Sequence, residues 1–209
     1  MSAFVLPASA RIGRHHKIAA GWVLFRNHHK DYPGATFNPC AGDPTRFAPL
    51  HTATGDCIPT LYAASTFDAA AYETVFREPP GRYASYLRQK LQNRGVSRIA
   101  PTADLHLVPF FTPELGSLGL SEDSVFRPAE TVYAFCRRLA ELAWRDNPTA
   151  QGVVWSSVRD SQAHAMVLFG DRLTPSDFDV LETRMVATDP TLLDEFSDTA
   201  ARSGTIISK

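Results

Sequence analysis

The chain has 209 residues, 44% hydrophobic and 21% charged, which supplies one sizeable core and fits a single globular domain. A formal net charge of -1 excludes a general pull towards nucleic acid or an anionic membrane. No apolar run approaches the roughly 20 residues that a membrane helix needs.

Residues 1–20 form a basic, His-containing lead-in whose basic residues follow its short apolar stretch. That order is the reverse of a secretory signal, so a cytoplasmic location is the default expectation. Gly21 to Phe25 reads as a first strand. Residues 27 to 60 are rich in Pro, Gly, Asp, Asn and Thr and read mostly as loop, and a loop of that length is often functional. Ile58 to Ala64 reads as a strand, followed by a helix from Ser65 to Arg77 with a capping box from Ser65 and Asp68. A second helix is expected from about Tyr83 to Arg94, with Arg88, Lys90 and Arg94 on a solvated face. Ile99 to Phe111 is extended, and a longer helix from about Ala129 to Asp146 carries the apolar stripe Val132, Cys136, Leu139 and Ala143. Gly152 to Ser156 and Ala165 to Phe169 read as adjacent strands. The stretch from Thr174 to Val186 is ambiguous. The expected organisation is a lead-in over 1–20, a catalytic domain over 21–190 and a polar C-terminal tail over 191–209. Strands and helices do not alternate regularly, so the expected class is α+β with a mixed β core and flanking helices.

The three cysteines, Cys40, Cys57 and Cys136, are odd in number and lack CxxC spacing, which argues against a disulfide framework and against zinc. The adjacent pairs His15–His16 and His28–His29 lack the spacing of a helical metal site, so no metal is expected. No GxGxxG, Walker loop or GxSxG elbow is present.

Arg26, Arg46, Tyr62, Glu73 and Ser157 each interrupt an apolar setting, where a polar group is costly unless it is paired or faces a ligand. An arginine fork suits phosphate oxygens, a tyrosine ring stacks a heterocycle, and a carboxylate offsets developing positive charge. Together they describe a pocket for a dinucleotide such as NAD. Each has a plainer reading. Glu73 could pair with Arg77 one turn on, the arginines with Asp31 or Asp43, Tyr62 could be strand packing, and Ser157 a turn serine.

In chain order the sequence offers Leu24-Phe25-Arg26, Thr45-Arg46-Phe47, Leu61-Tyr62-Ala63-Ala64-Ser65, Ala70-Ala71-Tyr72-Glu73, and Gly152-Val153-Val154-Trp155-Ser156-Ser157-Val158-Arg159, then the strand Ala165 to Phe169. This succession, over roughly residues 21 to 172, resembles the RES-domain family, named for its Arg, Glu and Ser. The resemblance implies an ADP-ribosyltransferase-like fold and a toxin of a toxin–antitoxin pair. Such a toxin consumes NAD by hydrolysis or phosphorolysis of the nicotinamide–ribose bond, or transfers ADP-ribose to a protein. It implies a helix-turn-helix antitoxin of the Xre type as partner, with NAD as substrate. By position, Arg26 and Arg46 would hold phosphates or ribose, Tyr62 would stack near nicotinamide, Glu73 would stabilise the oxocarbenium-like ribose, and Ser157 would help seat the substrate. Asn27 stands where some relatives have tyrosine, and Arg46-Phe47-Ala48-Pro49 replaces the Arg-Trp-Asn-Pro of many. The alternative from another class is a non-enzymatic nucleotide- or protein-binding module.

Overall fold

A computed structural model describes residues 14–77, 85–126 and 130–208. In chain order the strands and helices are β1 (His16–Ile18), β2 (Leu24–His29), β3 (Leu50–His51), β4 (Cys57–Ile58), β5 (Thr60–Ala64), α1 (Phe67–Thr74), β6 (Ser85–Leu87) and α2 (Arg88–Leu91). There follow β7 (Arg94–Pro101), β8 (Leu105–Pro109), α3 (Thr112–Ser117), α4 (Glu122–Phe126), α5 (Glu130–Asp146), β9 (Gly152–Ser156), β10 (His164–Phe169), β11 (Phe178–Met185), α6 (Pro190–Arg202) and β12 (Ile206–Ser208). An eight-stranded sheet runs β1-β8-β9-β10-β5-β2-β7-β11, with β8 and β9 parallel and the other neighbours antiparallel. The architecture is the expected mixed α+β, with helices flanking a β core.

The central strands β9 and β10 are unbroken apolar runs because both faces of the sheet are covered. On one face Ala64, Val153, Trp155, Ala165, Val167 and Phe169 pack with α1 and α5. On the other, Leu24, Leu61, Ala63, Ile99, Val154, Met166 and Leu168 pack with Ala35, Leu173 and Phe178. The run Ala69-Ala70-Ala71 keeps α1 thin enough to be buried on both sides, against the sheet and against α6.

Several local expectations are corrected. The helix that carries Glu73 is capped by Thr66, whose hydroxyl accepts from the Ala69 N–H at 3.1 Å. Ser65 Oγ instead accepts from the His164 N–H at 2.9 Å, tying β5 to β10. The expected 83–94 helix reduces to a single turn, and its last residue, Arg94, begins a strand (Tyr83 lies outside the described residues). The ambiguous stretch from Thr174 to Val186 contains the edge strand β11. The polar tail contains α6, whose Leu192, Phe196 and Ala200 are buried against Tyr72, Val75 and Phe76. The expectation of no disulfide also fails. Cys40 and Cys57 are bonded at 2.01 Å, and Cys136 is the free, buried cysteine. The β3–β4 pairing sets His51 opposite Cys57 and folds the 40–57 segment back on itself, which is a matter of proximity that an odd count does not forbid.

Candidate active site

The site opens where sheet pairing stops. Strand β2 pairs with β7 from Leu24 to His29, and β5 pairs with β10 from Thr60 to Ala64, but β2 and β5 meet at one register pair, Phe25 and Ala64. Past that pair Asn38 bridges to Thr60, donating at 2.7 Å and accepting at 3.0 Å. A cavity of about 810 Å³ opens beside it, walled by β2 from Arg26 to His29, Tyr62, α1 and its exit from Glu73 to Arg77, and loop residues between Cys40 and Pro49. That volume is typical of a small-molecule site.

Glu73 lies in the last turn of α1. Its Oε1 accepts from Ser157 Oγ at 2.9 Å and from the Val158 N–H at 3.2 Å. Ser157 is buried and follows β9, and its own N–H is held by the Ala163 carbonyl at 2.8 Å, so the hairpin turn presents its hydroxyl to α1. The position of Glu73 is further fixed from behind, where Tyr72 donates to the Thr199 carbonyl at 3.1 Å and Asp68 accepts from Thr199 and Arg202. Burial pushes the Glu73 carboxyl pKa up. The hydrogen bonds from Ser157 and Val158 and the nearby Arg46 charge oppose this without overcoming it. The surface pair of Glu73 with Arg77 does not form.

Tyr62 stands on the same face of the sheet as α1. Its hydroxyl accepts from the Phe47 N–H at 3.0 Å and shares a 2.9 Å hydrogen bond with Thr45 Oγ1, and its ring meets Trp155 edge-on at 6.2 Å. Burial pushes its phenol pKa up to about 12, so it stays protonated. Arg46 donates to the Val125 carbonyl at 2.6 Å and lies over the rings of Phe126 and Tyr133, 5.6 and 5.3 Å from their centroids. Arg46, Tyr62 and Glu73 also border a smaller cavity of about 70 Å³ with Arg159. The structure therefore brings together four of the residues singled out from sequence: Arg46, Tyr62, Glu73 and Ser157.

Arg26 is placed differently. It is 4% exposed and alternates onto the face opposite Tyr62, with Leu24 and His28. Its guanidinium donates to three backbone carbonyls, those of Tyr32 (at 2.9 Å), Gly34 and Thr36. It borders the large cavity while ordering the 32–36 loop, whose Tyr32 also lines it.

Sequence reasoning passed over Asn27, Arg77 and Arg94, which also line the cavity. Asn27 is 6% exposed, and neither its amide nitrogen nor its oxygen has a hydrogen-bond partner among the described residues. Arg94 leaves the solvated face expected for it because it starts β7, opposite His29, where it is half-buried. The helical reading of 83–94 hid this, because it ended the helix on the residue that opens the strand.

The family model described as RES domain matches residues 22–189. No protein of curated function matches the sequence. Among solved structures, the fold is similar to one in the Mycobacterium tuberculosis MbcT–MbcA toxin–antitoxin complex, with a TM-score of 0.57 and 17% identity over 86% of this chain and 91% of that one. At that identity the likeness is one of fold.

Proposed function

Because the chain belongs to the RES domain family, we propose that it is a toxin-like enzyme that consumes NAD by cleaving the nicotinamide–ribose bond. The observation that carries this reading is the Glu73 carboxylate, held by Ser157 and the Val158 N–H on the wall of a cavity large enough for a dinucleotide. A carboxylate kept partly out of water acts more strongly on a developing cation than one in bulk solvent. As the C1′–N bond of NAD lengthens, positive charge moves from the nicotinamide ring onto the ribose, and Glu73 offsets it there. Ser157 keeps the carboxylate aimed, Tyr62 supplies a flat wall for the departing ring, and Arg46 moderates the field around both. Water, phosphate or a protein side chain accepts the ADP-ribosyl group. No metal enters this chemistry. Arg26 contributes by holding the 32–36 loop.

The partner under this reading is an antitoxin, as MbcA is for MbcT, and here a helix-turn-helix protein of the Xre type. Under this reading the enzyme acts in the cytoplasm, where Cys40 and Cys57 would be kept as thiols instead of the disulfide they can form. Among the described residues no helix is long and apolar enough to cross a membrane. The test is release of nicotinamide from NAD by purified protein, with and without phosphate, beside Glu73→Ala. Release that disappears in the variant supports the reading, and a phosphate requirement names the acceptor. Release at the wild-type rate by Glu73→Ala removes Glu73 from the mechanism. Growth arrest on expression, relieved by an adjacent small helix-turn-helix gene, supports the toxin role.

A further inference from the structure

The two arginines assigned to phosphate from the sequence are both committed elsewhere. Arg26 is spread over three loop carbonyls, and Arg46 reaches the Val125 carbonyl at the Glu73 end of the site. A dinucleotide in the large cavity therefore needs other cations for its diphosphate. The wall supplies them. Its charged residues are Arg26, Arg77, Lys90 and Arg94 against Asp43 and Glu73, an excess of cations suited to a polyanion.

Arg94 is positioned by strand register. It lies opposite His29 and alternates with Gly95, so it shares the face of Val96, which packs against α1. Tyr62 is on β5 and Arg94 on β7, with β2 between them. Arg77, past the end of α1, lines the same cavity and also borders the smaller one beside Glu73, and among the described residues neither Arg77 nor Arg94 forms an ion pair with a carboxylate. Asn27 lies on β2 between Tyr62 and Arg94, and its unsatisfied amide is a second sign that a polar group belongs in this gap.

We propose that Arg94 and Arg77 form the diphosphate subsite of this cavity. The ligand class rests on the NAD reading, but the test needs no turnover. Adenosine diphosphate carries the diphosphate without the nicotinamide, so the change in its affinity between wild type and the arginine variants, measured by calorimetry on the full chain, reads this subsite without turnover. Wild type should bind it. Arg94→Ala and Arg77→Gln should each weaken it by about 10- to 100-fold, the worth of one charge-assisted hydrogen bond, while Arg94→Lys recovers part of the loss. Arg77 lies past the end of α1, so its variant tests the subsite even where Arg94→Ala fails to fold. Failure of the wild type to bind adenosine diphosphate, or undiminished binding by both arginine variants, overturns the subsite. Binding that depends on Arg94 in a protein that releases no nicotinamide, with or without phosphate, would rule out hydrolysis and phosphorolysis and leave the subsite standing.

Discussion

Arg26→Met is the sharpest way to separate two roles for the first arginine. The substitution keeps much of the stem and removes a buried fork that donates to the carbonyls of Tyr32, Gly34 and Thr36. Burial lowers the guanidinium pKa to about 10, which still leaves it charged at neutral pH. Hydrogen bonds to a charged donor are worth about 1.5–3 kcal/mol each, and three sharing one guanidinium do not add in full. The variant also leaves the carbonyls of three half-buried residues without their donor, so the loss should be about 3–5 kcal/mol, the usual consequence of breaking a buried charged arrangement. At roughly 2–4 °C per kcal/mol for a chain of this size, the melting temperature should fall by about 6–20 °C. Thermal and urea melts measure the loss, and KM for NAD on the folded fraction measures the ligand role. Arg26→Lys should recover little, because one ammonium cannot span three acceptors. A variant that melts within about 2 °C of wild type while KM for NAD rises tenfold would refute the structural account and return Arg26 to the phosphates.

Other perturbations test the neighbouring claims. Burial raises the Glu73 pKa above its unfolded value, so the folded state holds that proton more tightly, and ionisation costs stability as pH rises through the carboxylate range. Glu73→Gln should therefore melt above wild type at pH 7, converge with it in acid, and release no nicotinamide. Ser157→Ala removes a hydrogen bond that favours the ionised carboxylate, so the acid limb of the nicotinamide-release profile should move to higher pH. An unmoved limb would assign that limb to another group. His28, buried and bonded to Ser97 at 2.9 Å, has its pKa lowered to about 4. The unfolded chain takes up that proton from about pH 6.5, so roughly 3 kcal/mol of stability should be lost as pH falls through this window, with a shallower slope in His28→Gln. Phe196→Ala in α6 should cost about 3–5 kcal/mol, since Phe196 is fully buried against α1, and a drop under 1 kcal/mol would mean that the residues after Asp189 do not support the site.

The parts of this molecule that were legible in the sequence are those that local chemistry decides. The apolar runs of β9 and β10 and the stripe of α5 need only periodicity, and Glu73 stood out because its neighbours on the same helix face, Ala69, Ala70 and Phe76, are apolar. Ser157 and Glu73 are 84 residues apart, and their meeting was implied by the family resemblance and not by spacing. What stayed hidden depends on tertiary register. Arg94 looked helical because Leu87 and Leu91 lie one turn apart, yet pairing with His29 overrode that preference. Arg26 looked like a ligand group because nothing in the sequence reveals that the carbonyls of the following loop return to it. The tail read only as polar because its polar residues outnumber the apolar positions that α6 buries.

The unfavourable placements in this chain are gathered at one seam. A buried arginine with a lowered pKa, an asparagine amide without partners and a carboxylate with a raised pKa all border the gap where β2 and β5 stop pairing. Continuing the ladder past Phe25 and Ala64 would satisfy more backbone and remove the cavity, so folding stability alone would favour closing it. A chain that leaves the seam open and sets its least comfortable side chains along it has the signature of a binding site, where local rules give way to a ligand that completes them. The same logic ties stability to chemistry. Glu73→Gln should relieve the seam and end NAD consumption together, whereas Phe196→Ala should weaken the fold while leaving the hydrogen bond between Ser157 and Glu73 in the molecules that remain folded. Separate movement of these two readouts distinguishes a site that stores strain for catalysis from a cavity that is merely badly packed.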